Sequence, residues 1–275
     1  MNYINCKNAL PPEDIRKAII FWCESSTEHI NSLLSAFKGS GAVLQEEFTN
    51  ELKELEAAFS GIYNEYKSEK RFLPAQPAVL FKTNTRLIKL LERIKLEAAS
   101  GYPLLQQTVY HYIFEQNYVN AIFGVTASQN ELLITVRFSP FYNNNCIYNQ
   151  LYFWSVIASM HPSLLLNSED FKNAINGYSL EYLRDTANAF NEICYCLTAL
   201  KKRTNKKELS EIFGKFRQLN LDFSGFLDAA VRGSMRVYSS ASSPRLSTAF
   251  YKRAQHVINE HKLVSELCDS IAESL

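Results

Sequence analysis

Apolar residues recur every three or four positions along most of the chain, which is the spacing of one face of an α-helix. The clearest example lies between Leu44 and Lys70, where one apolar stripe runs opposite a charged face. Its members are Phe48, Leu52, Leu55, Phe59, Ile62 and Tyr66. Only nine glycines and eight prolines occur, clustered where the periodic segments end. The pattern predicts long helices joined by short loops.

Eight helices are predicted, four on each side of an irregular stretch. The first four cover about 13–37, 44–70, 84–99 and 103–123, and the last four about 147–166, 168–200 with a break at Gly177, 207–231 and 245–270. Residues 126–145 contain β-branched residues, a proline and three consecutive asparagines. This composition predicts a connection with room for a short extended piece.

The two sets of helices are related in sequence. Phe21-Trp22 and Phe153-Trp154 contain the only two tryptophans, and each tryptophan is followed seven residues later by a histidine, His29 or His161. The corresponding positions are 132 residues apart. In the fourth helix of each set, His111-xxx-Glu115 corresponds to His256-xxx-Glu260 at a separation of 145. We therefore predict an all-α protein of two tandem four-helix bundles, in residues 1–140 and 141–275.

Four of the five histidines lie at these repeated positions, on faces that are otherwise apolar. Seven residues make two helical turns, so each tryptophan and its histidine share one inward face. His111 and Glu115 are one turn apart on the inward stripe, as are His256 and Glu260. A carboxylate buried beside two imidazoles is costly unless something compensates, and a divalent cation does so. Iron, manganese and zinc suit these ligands.

A fourth ligand is expected from the second helix of the first bundle, and the choice stays open. Glu51 and Glu56 lie near the apolar stripe, with Glu54 further round. The second bundle has Tyr182 and Ala187 in place of Glu51 and Glu56. The second site is therefore expected to be the poorer one, and it is the site predicted to be empty if only one ion is bound.

The motifs resemble a known family. Phe21-Trp22 to His29 and Phe153-Trp154 to His161 form an FW-x6-H signature, and the order of later residues is also similar: Lys89, Gly101, Pro103, His111, Glu115 and Tyr118. The chain resembles the tandem ferritin-like proteins of a domain-of-unknown-function family of spore-forming Gram-positive bacteria. The resemblance implies two ferritin-like bundles, each able to hold a metal. It carries over His29, His111 and Glu115 for the first and His161, His256 and Glu260 for the second.

This sequence departs from the family pattern in its second half. Met160 stands where the first half has Glu28, Pro162 follows His161, and Leu263 stands where the first half has Tyr118. The di-iron motif Glu-x-x-His does not occur anywhere in the sequence. One iron or manganese ion per occupied bundle, with zinc as a further choice, is therefore expected. No substrate is indicated, and the question of enzymatic activity stays open.

The alternative function is a metal-free structural or adaptor protein, associated with sporulation, that binds a protein partner or forms a homodimer. Nucleic-acid binding is disfavoured because 29 lysines and arginines balance 28 acidic residues. No apolar run is long enough to cross a bilayer and no signal-peptide core is present, so a cytoplasmic protein without membrane association is expected. The six cysteines form no CxxC pair and are expected to be buried small hydrophobes.

Overall fold

The computed structural model describes residues 12–68, 76–123, 146–167, 177–200, 206–232 and 248–272, and the regular elements in these ranges are all α-helices. The all-α prediction is confirmed. The predicted connection at 126–145 lies outside the described residues. The helices are α1 (Pro12–Ser40), α2 (Glu46–Ser68), α3 (Gln76–Glu97), α4 (Pro103–Phe123), α5 (Cys146–Leu166), α6 (Gly177–Leu200), α7 (Lys206–Val231) and α8 (Thr248–Ala272).

The chain divides into two compact units, one within Asn2–Ser139 and the other within Pro140–Leu275. In the first unit α1 packs on α2, α2 on α3 and α3 on α4, and α4 returns to α1. In the second unit α5 packs on α6, α6 on α7 and α7 on α8, and α8 returns to α5. The first and last helices of each unit are therefore neighbours, which brings residues far apart in sequence to one core.

The inward face of α2 is the one predicted from its pattern. All six residues of the apolar stripe are buried, from Phe48 to Tyr66. Glu46 and Glu47 lie in the first turn and Lys67 in the last, where each charge is stabilised by the helix dipole. The helix is thus held by burial on one side and by favourable charge placement at both ends.

Helix α3 begins eight residues earlier than predicted. The sequence suggested a start near Asn84. Pro77 instead occupies the first turn of a helix that starts at Gln76, where a missing backbone N–H costs nothing. Leu80, Asn84 and Leu87 are then successive buried residues of one helix face. Asn84 is therefore a core residue and not a helix end.

Helix α5 contains Pro162 directly after His161 and still continues to Leu166. Proline removes the N–H that would bond the carbonyl of Ala158, so it disturbs one backbone hydrogen bond. His161 remains buried, with 1% of its surface exposed. The proline therefore does not turn this histidine away from the core.

The cysteines agree only in part with their predicted role. Cys23 and Cys268 are buried, whereas Cys194 is half-buried and Cys196 is exposed, and all four are free thiols.

No described helix combines the length and the apolar character that crossing a membrane requires.

Two glycines near the end of α1 differ in backbone conformation, and this difference can be tested. Gly41 follows the helix with a φ of +72°, whereas Gly39 lies within it. An added methyl group would meet no atom within 4 Å at either position. We expect Gly41→Ala to lower the free energy of unfolding by about 1 kcal/mol through backbone strain. Gly39→Ala should raise it by up to about 1 kcal/mol.

Urea unfolding of the full chain, followed by circular dichroism, measures both changes. Equal shifts in the same direction for the two variants would show that the left-handed conformation of Gly41 does not limit this position.

Candidate metal centres

The first unit brings three predicted residues together at one point of its core. Helix α1 supplies His29, and α4 supplies His111 and Glu115, all three at most 2% exposed. The Nε2 atom of His29 lies 2.9 Å from Oε2 of Glu115, and Nε2 of His111 lies 3.1 Å from Oε1. Each oxygen of one buried carboxylate therefore faces its own imidazole.

Helix geometry explains this convergence. His111 and Glu115 are four residues apart, so their side chains lie one above the other on α4. His29 reaches the same carboxylate because α1 packs directly on α4. The predicted inward direction of all three side chains is confirmed by their burial.

The second unit repeats the arrangement. Helix α5 supplies His161, and α8 supplies His256 and Glu260. Nε2 of His161 is 3.1 Å from Oε2 of Glu260, and Nε2 of His256 is 3.2 Å from Oε1. All three residues are buried. The departures in the second half of the sequence therefore leave the cluster of two imidazoles and one carboxylate intact.

The Glu260 carboxyl has a perturbed pKa. Burial raises this pKa, but the positive charge of His256 and the contacts with His161 and His256 outweigh burial and hold it well below its usual range. Glu260 is therefore a carboxylate at neutral pH. A metal ligand must be deprotonated in this way.

The distances in both clusters suit a bound cation. Ligands at about 2.1 Å from one ion, at right angles to each other, are about 3 Å apart. The nitrogen and oxygen atoms of these pairs are separated by 2.9 to 3.2 Å. Buried His and Glu side chains of both units can thus offer ligand atoms to a metal ion. The donor set of imidazoles and carboxylate fits iron, manganese and zinc.

A second set of polar residues surrounds the histidine of α1. Nδ1 of His29 is 3.0 Å from Nε2 of Gln116, and Oε1 of Gln116 accepts a hydrogen bond from the hydroxyl of Ser26 at 3.1 Å. The ring of Tyr112 stacks on His29, with their centroids 4.1 Å apart. The orientation of the His29 ring is therefore fixed by contacts on its edge and on its face.

The corresponding position in the second unit is occupied by another histidine. Nδ1 of His161 is 2.9 Å from Nε2 of His261, and Nδ1 of His261 is 2.6 Å from Oδ1 of Asn220. Burial, with a further contribution from the charge of His161, lowers the pKa of His261 well below its usual value. His261 is therefore a neutral ring at neutral pH.

Sequence reasoning missed this second set of residues. Gln116 and His261 directly follow the paired glutamates and are related by the same separation of 145 that relates the motifs. Applying that separation one residue further would have found them. Asn84 and Asn220 are buried in α3 and α7. The late predicted start of the third helix hid the interior position of Asn84.

The second helix does not contribute the expected carboxylate. Glu51 is partly exposed and lies 3.7 Å from Arg93 and 4.0 Å from Arg86. Glu56 accepts a hydrogen bond from the Asn31 amide at 2.8 Å on the surface. The structure places both outside the cluster, because the buried stripe of α2 faces the core and these residues flank it. The lack of their equivalents in the second half therefore does not make that site poorer.

Comparison of the sequence with protein-family models and with curated proteins finds no match. The functional interpretation therefore depends on the buried His and Glu side chains themselves, which can offer ligand atoms to a metal ion.

The buried His261 predicts an acid sensitivity of the metal-free protein. Its folded pKa is far below the unfolded value of 6.5, so below pH 6.5 the unfolded chain binds one more proton than the folded chain. The contribution of neutral His261 to stability is thus complete above pH 6.5 and declines as the pH falls. The expected slope is about 1.4 kcal/mol per pH unit in this window.

Urea unfolding at a series of pH values, with chelator present, measures this slope. His261→Gln should lower the slope by about 1.4 kcal/mol per pH unit, which is the contribution of one proton. Gln116→Ala removes the corresponding polar side chain of the first unit without removing a titrating group, and it should leave the slope unchanged. Identical slopes for the wild type and His261→Gln would contradict the prediction.

Proposed function

We propose that this chain is a ferritin-like metal-binding protein, in which two histidines and one glutamate of a unit hold a divalent metal ion. The observation that carries the proposal is the complete burial of Glu115 and Glu260, each between two imidazole nitrogens. The ligands are His29, His111 and Glu115 in the first unit and His161, His256 and Glu260 in the second.

Electrostatics supports a cation at these points. A buried carboxylate loses several kcal/mol of hydration free energy. A protonated imidazole compensates the carboxylate with one positive charge, whereas a divalent ion supplies two and uses the lone pairs of the same nitrogens. The presence of this costly arrangement in both units favours a role that needs it over a role in stability alone.

Iron or manganese is the proposed ion, with zinc as a further candidate. Two imidazoles and a carboxylate form the donor set of mononuclear non-haem iron sites, which leave coordination positions open. A metal bound in this way supplies Lewis acidity and, for iron, redox chemistry. The protein side chains hold the ion, orient it and exclude water, since the ligands of both units are buried.

The competing function is a metal-free helical protein with a structural or adaptor role. It is favoured by the His–Glu separations of 2.9 to 3.2 Å, which also suit hydrogen bonds between an imidazolium and a carboxylate. In that case protons replace the metal and the clusters only hold neighbouring helices together. Measured metal content separates the two functions.

Elemental analysis of protein purified without chelator, from medium supplemented with iron and manganese, tests the proposal. We expect about one ion per occupied unit. His111→Ala and Glu115→Gln should remove the metal bound by the first unit. His256→Ala and Glu260→Gln should remove the metal bound by the second. Glu51→Gln and Glu56→Gln are matched controls, because they remove carboxylates outside the clusters, and they should leave the metal content unchanged.

Circular dichroism confirms that each variant is folded before its metal content is compared. Less than about a tenth of an equivalent in the wild type, even after reconstitution with ferrous or manganous ion, would favour the metal-free function.

A further inference from the structure

The second unit contains a chain of hydrogen bonds that starts at a main-chain carbonyl. The Nδ2 atom of Asn220 donates to the backbone oxygen of His261 at 2.9 Å and to the hydroxyl of Ser265 at 2.8 Å. The Ser265 hydroxyl itself donates to the same backbone oxygen at 2.9 Å. A flipped Asn220 amide would place its oxygen against that carbonyl oxygen. The orientation of this amide is therefore fixed.

The fixed amide determines where His261 carries its proton. Oδ1 of Asn220 is only an acceptor, so Nδ1 of His261, 2.6 Å away, must donate to it. The remaining nitrogen of the neutral ring, Nε2, is then an acceptor. It lies 2.9 Å from Nδ1 of His161, so His161 must donate from Nδ1.

A histidine that donates a hydrogen bond from Nδ1 has only Nε2 left to bind a metal ion. In His161 that atom is the one that faces Glu260 at 3.1 Å. A proton on Nε2 or a metal ion between the two atoms makes this contact favourable, and only the metal ion uses the Nε2 lone pair. The chain from Asn220 through His261 thus presents His161 in the form that a metal ion requires.

The first unit differs at this position. Gln116 occupies the position of His261, and its amide faces the His29 ring and the Ser26 hydroxyl. A hydroxyl donates or accepts, so either orientation of the Gln116 amide is satisfied. Gln116 can therefore meet Nδ1 of His29 with either atom of its amide.

Asn84 nevertheless retains the arrangement of Asn220. Its Nδ2 donates to the backbone oxygen of Gln116 at 2.7 Å and to Oδ1 of Asn120 at 2.9 Å. Its own Oδ1 is buried and accepts no hydrogen bond from the described residues. The acceptor that receives the His261 proton in the second unit is thus present in the first, where no described residue donates to it.

We propose that Asn220 and His261 are positioning residues that fix the metal-binding tautomer of His161 and make the second unit the higher-affinity metal site. This inference depends on the proposed metal function. It reverses the expectation, based on sequence departures, that the second site is the poorer one. Removal of such an outer hydrogen-bond partner typically weakens metal affinity by about 10- to 100-fold.

The tautomer can be read directly by NMR. The full chain contains only five histidines, so selective ¹⁵N-histidine labelling gives five ring systems, assigned by single substitutions. Two-bond ¹H–¹⁵N correlations in the chelator-treated protein should show a proton on Nδ1 of His161. After addition of Zn²⁺, Nδ1 should keep its proton while Nε2 shows the shift of a metal ligand. A His161 ring that lacks the Nδ1 proton in the zinc-free protein overturns the proposal.

Zinc titration followed at the same signals tests the difference between the units. The His161 signal should respond at lower Zn²⁺ concentration than the His29 signal. Asn220→Ala should weaken zinc binding at His161 by about 10- to 100-fold. Asn84→Ala is the matched control, because it removes the same type of main-chain hydrogen bond but no contact with a ring. It should change zinc binding at His29 by less than about threefold. Equal losses in the two variants would show a structural role only.

A gain of affinity provides the strictest test. Gln116→His places a ring opposite Oδ1 of Asn84, whose amide is already oriented, and should strengthen zinc binding at His29 by about 10-fold or more. Unchanged or weaker binding in a folded Gln116→His protein counts against the positioning role. Absence of zinc from both units of the wild type would refute the proposed metal function, whereas the tautomer of His161 in the zinc-free protein would still be measured.

Discussion

The buried carboxylate held between two imidazoles is the interaction on which each unit depends. Glu115 and Glu260 are almost completely removed from water. Removing one partner of such a buried charge typically costs about 3–5 kcal/mol, because the remaining charge is left uncompensated. The contact also joins helices that are distant in sequence, since His29 lies on α1 and Glu115 on α4. The 2.9 Å separation between His29 and Glu115 therefore helps to set the register of these two helices.

The likeness between the two units extends beyond the candidate ligands to the buried amides of Asn84 and Asn220. Asn84 and Asn220 make the same two donor contacts, one to a main-chain oxygen and one to a side chain on the last helix of their unit. Duplicated apolar stripes would result from any pair of amphipathic helical bundles. Duplicated buried amides are more informative, because each requires a specific partner in a fixed orientation.

The helices and the inward histidines were predictable from the sequence, because helical periodicity is a local property of the chain. Whether α2 supplies a ligand was not predictable from the sequence. A residue that flanks an apolar stripe can face the core or the solvent, and the partners that decide this lie on another helix. Glu51 illustrates this, because Arg86 and Arg93 of α3 attract it to the surface. The role of His261 was also hidden, because it depends on an amide of α7 and a ring of α5 that no local pattern relates.

Sequence departures in the second half are a poor measure of its candidate metal site, because they affect positions outside the cluster. Tyr118, which Leu263 replaces, packs against Trp22 with ring centroids 5.8 Å apart. Pro162 alters the backbone after His161 without exposing that residue. The difference that reaches a candidate ligand is the one between Gln116 and His261. At that position the second half holds the more restrictive residue. The Asn220 amide, held by a main-chain oxygen, allows the His261 ring only one position for its proton, whereas the Gln116 amide is satisfied in two orientations. The two units therefore differ in how the candidate ligands are supported and agree in the candidate ligands themselves.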